Sequence, residues 1–172
     1  MEYQVSIEDY HLALLLKKLK KERGNDDGIS LLLKLNIVLV VSSLTESIVN
    51  KFLAYESKSA TEFTNLERTS LFQKCTESPK KYLSSYDLCI EKTRVLQELI
   101  AWRKAYVHSK PKLSDNGVDK LSGNIPENKI IDCELVDQFL DFPLHLASKL
   151  NEIRKDTSPF SHDYICYKNA LS

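Results

Sequence analysis

Apolar residues recur at helical spacing through most of this chain. The first run begins after Ser6, a residue type that often caps a helix N-terminus, and stops at Gly24. Its apolar positions lie three or four residues apart and are Leu12, Leu15, Leu16 and Leu19. This spacing predicts a first helix that ends at Gly24.

The second run predicts a long central helix from about Ile29 to Tyr55. Its β-branched middle, Ile37–Val41, would by itself also suit a buried strand. The pattern nevertheless continues to Tyr55 at steps of three and four residues, with no turn signal on the way. We therefore expect one helix that is buried on most sides in its first half.

A short third helix is expected after this central helix. Thr61 is a candidate cap, and the helix would run to about Cys75. The segment Glu77–Lys80, which contains Pro79, should break it.

A fourth helix is predicted from Ser84 or Ser85 to Val107, where apolar residues again recur at helical spacing. Pro111 disfavours helical geometry at the residue before it. The helix should therefore end close to His108.

A polar segment and a fifth helix follow. Residues 112–128 are rich in Gly, Asp, Asn and Ser and are predicted to form an exposed loop. The fifth helix is expected from about Ile130 to Ile153, with a kink or a break at Pro143.

The final residues, 157–172, are predicted to form a C-terminal tail that packs back on the bundle through its apolar side chains. Within this tail, His162 and Asp163 are interpreted as solvated. No segment carries a convincing strand pattern. Together the elements predict one all-α domain over residues 1–172, an up-and-down bundle of four to five main helices.

Composition and charge narrow the classes of function. The chain has 172 residues, with 24 Lys and Arg against 24 Asp and Glu, so its formal net charge is zero. This balance excludes the overall basic footprint that is typical of broad nucleic-acid binding. Any contact with RNA would be a local patch, such as Lys104, Lys110 and Lys112.

The cysteines and the N-terminal residues bear on metal binding and location. The four cysteines, Cys75, Cys89, Cys133 and Cys166, are far apart in the sequence. This spacing favours free thiols in a reducing compartment over a zinc site or a disulfide framework, and we expect neither a metal nor a cofactor. No secretory signal is recognised at residues 1–10, where acidic residues replace the usual basic start.

The most apolar segment, residues 29–44, is interrupted by Lys34 and Asn36 and is shorter than the ~20 residues of a membrane span. We therefore expect no membrane segment. A cytoplasmic location is the prediction.

The candidate chemistry lies at the end of the fourth predicted helix. Arg103 is followed five positions later by His108, just before Lys110 and Pro111. An arginine supplies a permanent positive charge for a phosphate, and a histidine, whose ordinary pKa is about 6.5, exchanges protons near neutral pH. Metal-independent cleavage of RNA requires these two kinds of group.

Two segments together resemble the HEPN superfamily, whose helical domains bind or cleave nucleic acid. The stretch Trp102-Arg103-Lys104-Ala105-Tyr106-Val107-His108-Ser109-Lys110-Pro111 matches the arginine, the Val-His pair and the Lys-Pro pair of the family motif. In the long helix, Glu46-Ser47 with Asn50 is similar to a second family pattern. The resemblance covers about residues 29–150.

The resemblance implies a four- to five-helix bundle that cleaves RNA without a metal. His108 would be the general base or acid, and Arg103 would stabilise charge on the phosphate oxygens. Glu46 would hold Arg103 in place through an ion pair. The supporting or substrate-binding residues that it implies are Glu46, Asn50, Lys104, Tyr106 and Lys110.

The geometry of a helix bears on how this chemistry could occur. Five residues on a regular helix place Arg103 and His108 about 140° apart around the axis, so they do not converge on one phosphate unless the helix unwinds before Pro111. In the family, two subunits meet face to face and two motifs line one cleft. We therefore expect a homodimer, with RNA as a ligand and an antitoxin or another protein as a further partner.

Two alternatives stay open. Lys104 stands where nuclease members usually have Asn, Asp or His, and a lysine cannot accept a hydrogen bond. This departure favours a non-catalytic HEPN-like helical module that binds a protein or nucleotide partner. The other alternative is a helical bundle in which the Arg–His spacing is accidental and Arg103 pairs with Glu46 or Glu98 for structural reasons.

Overall fold

The computed structural model describes residues 7–23, 31–107, 111–114, 117–121, 131–152 and 158–171. Within these ranges the chain forms seven α-helices, one 3₁₀ turn and one two-stranded sheet. The elements are α1 (Ile7–Arg23), α2 (Leu31–Glu56), α3 (Ala60–Glu67), α4 (Leu71–Thr76), the 3₁₀ turn (Ser78–Lys81), α5 (Ile90–Val107), β1 (Pro111–Ser114), β2 (Gly117–Leu121), α6 (Cys133–Glu152) and α7 (Pro159–Leu171). The predicted all-α class is confirmed.

The helix α2 is the centre of the fold. It packs against all six other helices, and most extensively against α6. Its buried apolar side chains are Ile37, Val38, Val41, Leu44, Ile48, Val49, Phe52 and Leu53. Burial was predicted for the first half of this helix. In the structure it continues to Leu53, so the second half also contributes to the core.

One hydrophobic cluster contains residues from all seven helices. The helices α1 and α7 contribute to it, although they lie outside the 29–150 range of the resemblance. Phe160 on α7, for example, packs edge-to-face on Phe52 of α2, with ring centroids 5.5 Å apart. The described helices therefore share a single core.

The helix α2 also has the length and composition of a membrane span. The part over Leu33–Glu56 is 24 residues long and contains an 18-residue window with a mean hydropathy of 1.5. The apolar segment recognised in the sequence ends at residue 44, whereas the helix continues to Glu56. In this fold 56% of that window is buried against other helices, and a helix at the centre of a bundle meets the same test.

The predicted third helix is in fact two short helices. Ser59, and not Thr61, caps α3 by accepting a hydrogen bond from the Glu62 backbone N–H at 3.1 Å. A second cap, Ser70, begins α4 and forms a reciprocal capping box with Gln73. Because a capping box starts a new helix at its own position, the chain bends before Leu71 instead of continuing to Cys75.

Two other helix boundaries differ from the prediction. The helix α5 begins at Ile90 rather than at Ser84 or Ser85, and the Thr93 backbone N–H donates to the Cys89 carbonyl in its first turn. Pro143 lies inside α6, which continues through it from Cys133 to Glu152 without a break. Pro143 and its neighbour Phe142 are buried, so core packing offsets the hydrogen bond that a proline cannot donate.

Part of the predicted loop over residues 112–128 is an antiparallel hairpin. Strand β1 pairs with β2, with Leu113 opposite Val118 and Ser114 opposite Gly117. A hairpin needs only a few residues on each side, so a composition typical of turns does not exclude one. The rest of the predicted loop, residues 115–116 and 122–128, lies outside the described residues.

The predicted C-terminal tail is the helix α7, which packs against α1, α2 and α6. Tyr167 is buried, whereas Ile165 is exposed. Asp163 corrects the interpretation of a solvated His162–Asp163 pair, because only 4% of its surface is exposed and only His162 lies at the surface. The helix is therefore part of the fold.

Asp163 joins α7 to α2 through polar contacts. Its Oδ2 accepts a hydrogen bond from the Tyr55 hydroxyl at 2.9 Å, and its Oδ1 lies 3.7 Å from the Lys51 ammonium. Lys51 also lies over the ring of Tyr167, 5.7 Å from its centroid. These contacts compensate the burial of the carboxylate.

We expect Asp163→Ala to lower the free energy of unfolding by about 2–4 kcal/mol, because it removes an anionic partner of a mostly buried lysine and an acceptor for a tyrosine hydroxyl. Urea unfolding followed by circular dichroism measures the change. His162→Ala is the matched control and should stay within about 0.5 kcal/mol of the wild type. Equal stability of the two variants would contradict this role of Asp163.

Candidate functional site

Three helices bring one carboxylate and two cations together. Glu46 lies in the middle of α2, Lys74 on α4 and Arg103 on the last turns of α5. The Lys74 Nζ donates to Glu46 Oε1 at 3.1 Å, and the Arg103 Nη1 donates to Glu46 Oε2 at 2.9 Å. Each carboxylate oxygen therefore has its own cationic donor.

The two cations differ in their access to solvent. The Lys74 side chain is 3% exposed, whereas the side chains of Glu46 and Arg103 are 31% and 36% exposed. Lys74 closes the inner side of the cluster, and Arg103 forms its surface. A ligand that reaches this cluster from solvent meets Arg103 and Glu46.

The environment holds Glu46 in its ionised form. Burial alone raises the pKa of this carboxyl, but the hydrogen bonds from Arg103 and Lys74 and their positive charges lower it by more. The net pKa of Glu46 lies below its ordinary value. The cluster therefore carries one negative and two positive formal charges at neutral pH.

Arg103 keeps hydrogen-bonding capacity beyond Glu46. A guanidinium has five N–H donors, and within the part of the chain that the structure describes Glu46 is its only hydrogen-bond partner. The remaining donors are available to an acceptor that approaches from solvent. A phosphodiester offers such acceptors in a matching geometry.

The other site residues implied by the resemblance lie elsewhere on α2 and α5 or outside the described residues. Asn50 lies one turn beyond Glu46 on α2, and its buried Oδ1 has no hydrogen-bond donor among the described residues. Lys104 is exposed beside Arg103. Tyr106 lies on α5, which is described as far as Val107. His108 and Lys110 lie outside the described residues.

Lys74 is the member of the cluster that sequence reasoning missed. Leu71, Lys74 and Cys75 share one face of α4, and all three are buried. A lysine at a core position of an amphipathic helix is a signal, because a buried ammonium requires an anionic partner. The spacing alone does not reveal which carboxylate that partner is.

The surroundings of Lys74 fix α4 in place. The Tyr86 hydroxyl donates to the Cys75 carbonyl at 2.6 Å, and the Ser70–Gln73 capping box secures the start of the helix. Burial, together with the negative charge of Glu46, raises the pKa of the Cys75 thiol. Cys75 is therefore a neutral packing residue and not an activated nucleophile.

A cleft lies away from this cluster, between α5 and the start of α6. It has a volume of about 290 Å³, and none of the residues that the resemblance implies line it. Its polar lining consists of Arg94, Glu98, Asp132, Glu134 and Gln138. Asp132 caps α6 by accepting a hydrogen bond from the Leu135 N–H at 2.7 Å. One of the carboxylates in the cleft therefore already has a structural role.

Across the described ranges, no group of three or more His, Cys, Asp and Glu side chains is arranged to hold a metal ion. Comparisons with protein-family models, curated proteins and solved structures give no match to this chain. The site is therefore interpreted from its own geometry and charge.

We expect Glu46→Gln to be less stable than the wild type at pH 7 by about 1–3 kcal/mol, because it leaves the ammonium of Lys74 buried without a counter-ion. Arg103→Ala, which removes the exposed partner, should cost about 1 kcal/mol or less. Urea unfolding of the three proteins measures both changes.

The stabilisation by Glu46 should also depend on pH. Because the pKa of Glu46 in the folded state lies below its ordinary 4.5, the stabilisation is fully present above that value and is lost as the pH falls through the folded-state pKa. The difference between the wild type and Glu46→Gln should therefore shrink below pH 4.5. A difference that stays constant through this range would contradict the ionised cluster.

Proposed function

We propose that this protein is an RNA-directed helical domain of the HEPN type that cleaves RNA without a metal. The observation that carries the proposal is the Arg103 guanidinium, which Glu46 holds through one N–H at the surface of α5. This is the pair that the resemblance implied. The proposal includes the up-and-down arrangement of the longer helices that the family has.

The charge of the cluster supports an anionic ligand. Two cations share one carboxylate, which leaves a formal charge of +1 at a partly exposed position. The whole chain has a net charge of zero, so the attraction for a phosphate is local. Lys104, the next residue on α5, is an exposed cation close to Arg103 in the sequence.

The proposed reaction is transesterification at a phosphodiester. A general base takes the proton of a ribose 2′-OH, the 2′ oxygen forms a bond to phosphorus, and the bond from phosphorus to the 5′ oxygen breaks. A general acid gives a proton to that leaving oxygen, and a 2′,3′-cyclic phosphate remains. His108 is the proposed acid or base, and Arg103 stabilises the charge on the non-bridging oxygens.

The proposed active form is a homodimer. A regular helix would separate Arg103 from His108 by about 140°, and a dimer overcomes this separation when the histidine of a second copy faces the arginine of the first. An interface of two like surfaces suits the two-fold symmetry of most homodimers. An antitoxin or another protein would then act by covering this face.

A second candidate function is a non-catalytic helical module that binds RNA, a nucleotide or a protein through the same cluster. The observation that favours it is Lys104, which is exposed beside Arg103 but has no acceptor to orient a ribose hydroxyl. Binding without cleavage distinguishes this candidate from the nuclease.

We expect the purified protein to cleave single-stranded RNA in the presence of a chelator and to leave cyclic-phosphate ends. Arg103→Ala should reduce the rate by about 10²–10³-fold, the loss that follows removal of one donor to a developing anionic charge. His108→Ala should lose a similar or larger factor. Gel analysis of end-labelled RNA measures the rates.

Arg94→Ala is the matched control, because Arg94 is an exposed arginine on the same helix and lies away from Glu46. It should cleave like the wild type. Cleavage that both Arg103→Ala and His108→Ala retain would contradict the site, whereas wild-type binding without cleavage would support the second candidate.

A further inference from the structure

We infer that Lys74 is a positioning residue for Arg103: it holds one oxygen of Glu46 so that Glu46 binds Arg103 through the other oxygen only. The inference rests on the proposed function, in which the free donors of Arg103 contact an RNA phosphate. Lys74 itself would not touch the RNA, because its side chain is 3% exposed.

The two hydrogen bonds of Glu46 make this role possible. Oε1 accepts from Lys74 at 3.1 Å and Oε2 accepts from Arg103 at 2.9 Å. An arginine and a carboxylate that are left alone favour a two-pronged pair, in which both oxygens bind two guanidinium nitrogens. Lys74 occupies the oxygen that this second prong would need.

The charge balance leads to the same conclusion. With Lys74 present, Glu46 compensates two cations and the cluster retains a formal charge of +1. Without Lys74, Glu46 and Arg103 would neutralise each other and the cluster would be uncharged. The residual charge that attracts a phosphate therefore depends on a residue that solvent does not reach.

Stability alone gives little reason for a lysine at this position. Leu71 and Cys75 on the same face of α4 are ordinary buried residues, and an apolar residue in place of Lys74 would complete that face. Replacement of a buried ion pair by apolar groups is often neutral or stabilising, because the desolvation cost of the charges disappears. Lys74 therefore serves to orient the carboxylate of Glu46.

The position of the Lys74 ammonium is itself well supported. The capping box of Ser70 and Gln73 fixes the first turn of α4, and the hydrogen bond from Tyr86 to the Cys75 carbonyl fixes the last. The ammonium is thus held against Glu46 by a backbone that is anchored at both ends.

The test uses a fluorescein-labelled 2′-O-methyl oligoribonucleotide, which keeps the phosphates but lacks the 2′-OH nucleophile. Lys74→Met should weaken binding by roughly tenfold, about the value of one charge-assisted hydrogen-bonded contact. The slope of log K against log salt should decrease in magnitude by about 0.7, the value for one lost phosphate contact to a single strand. Fluorescence anisotropy at several salt concentrations measures both quantities.

Two further variants separate positioning from a merely structural role. Lys74→Arg, which keeps the charge and the donors, should restore most of the affinity. The double variant Lys74→Met with Arg103→Ala should bind no more weakly than Arg103→Ala alone, because Lys74 acts through Arg103. Additive losses, or an affinity and salt slope of Lys74→Met equal to those of the wild type, would overturn the inference.

The failure of the inference is distinguishable from the failure of the proposed function. If the wild type shows no binding that depends on Arg103, the proposed function fails, and nitrogen-15 NMR of the Arg103 side chain still tests the positioning. In Lys74→Met, the rotation of the guanidinium should slow as a two-pronged pair forms, and an unchanged spectrum would overturn the inference. If Lys74→Met does not fold, Lys74→Leu, which likewise removes both the donor and the charge on the apolar face of α4, replaces it in each measurement.

Discussion

The burial of α2 is the constraint on which the rest of this structure depends. This 26-residue helix is largely apolar, and every other helix packs against it. Its buried or half-buried charged side chains therefore need partners on the helices that cover it. Glu46 finds them on α4 and α5, and Tyr55 and Lys51 find theirs at Asp163 of α7. The candidate site is one of these two compensations, and it is the one that remains partly open to solvent.

Helix periodicity predicted the long elements well because their faces are set by burial. The first helix and the central helix lie where the spacing of apolar residues placed them, and the β-branched segment of α2 is helical because the apolar pattern continues on both sides. The short elements were predicted less well. Thr61 and Ser59 are both good caps, and the choice depends on where the helical backbone begins: the Ser59 hydroxyl accepts from the Glu62 N–H three residues ahead, whereas a Thr61 cap would need the N–H of Phe63 or Thr64. That choice is a matter of backbone geometry, which composition does not encode.

Long-range polar partners account for two further differences. The resemblance to a known motif led to the pairing of Glu46 with Arg103, whereas nothing local indicated that Lys74, 28 residues away from Glu46, shares the same carboxylate. Asp163 is a similar case, because it follows an exposed histidine and reads locally as a surface residue. Its acceptor role appears only when Tyr55, 108 residues earlier, lies against it. Both residues are charged, buried and compensated across the core.

The arrangement around Arg103 also separates binding from cleavage in physical terms. A phosphate that approaches Arg103 competes with Glu46 for the guanidinium, and it competes better when Lys74 already holds part of the carboxylate's charge. A charged lysine has only donors, so neither Lys74 nor Lys104 can accept a hydrogen bond from a ribose hydroxyl. The cluster thus contains groups that attract and orient a phosphate, and its one anion, Glu46, has its pKa lowered by two cations and is a weak base. A nuclease built on this cluster would therefore need a proton-transfer group from outside it, which is the role that the proposal gives to His108 of a second copy. A binding module would need no such group.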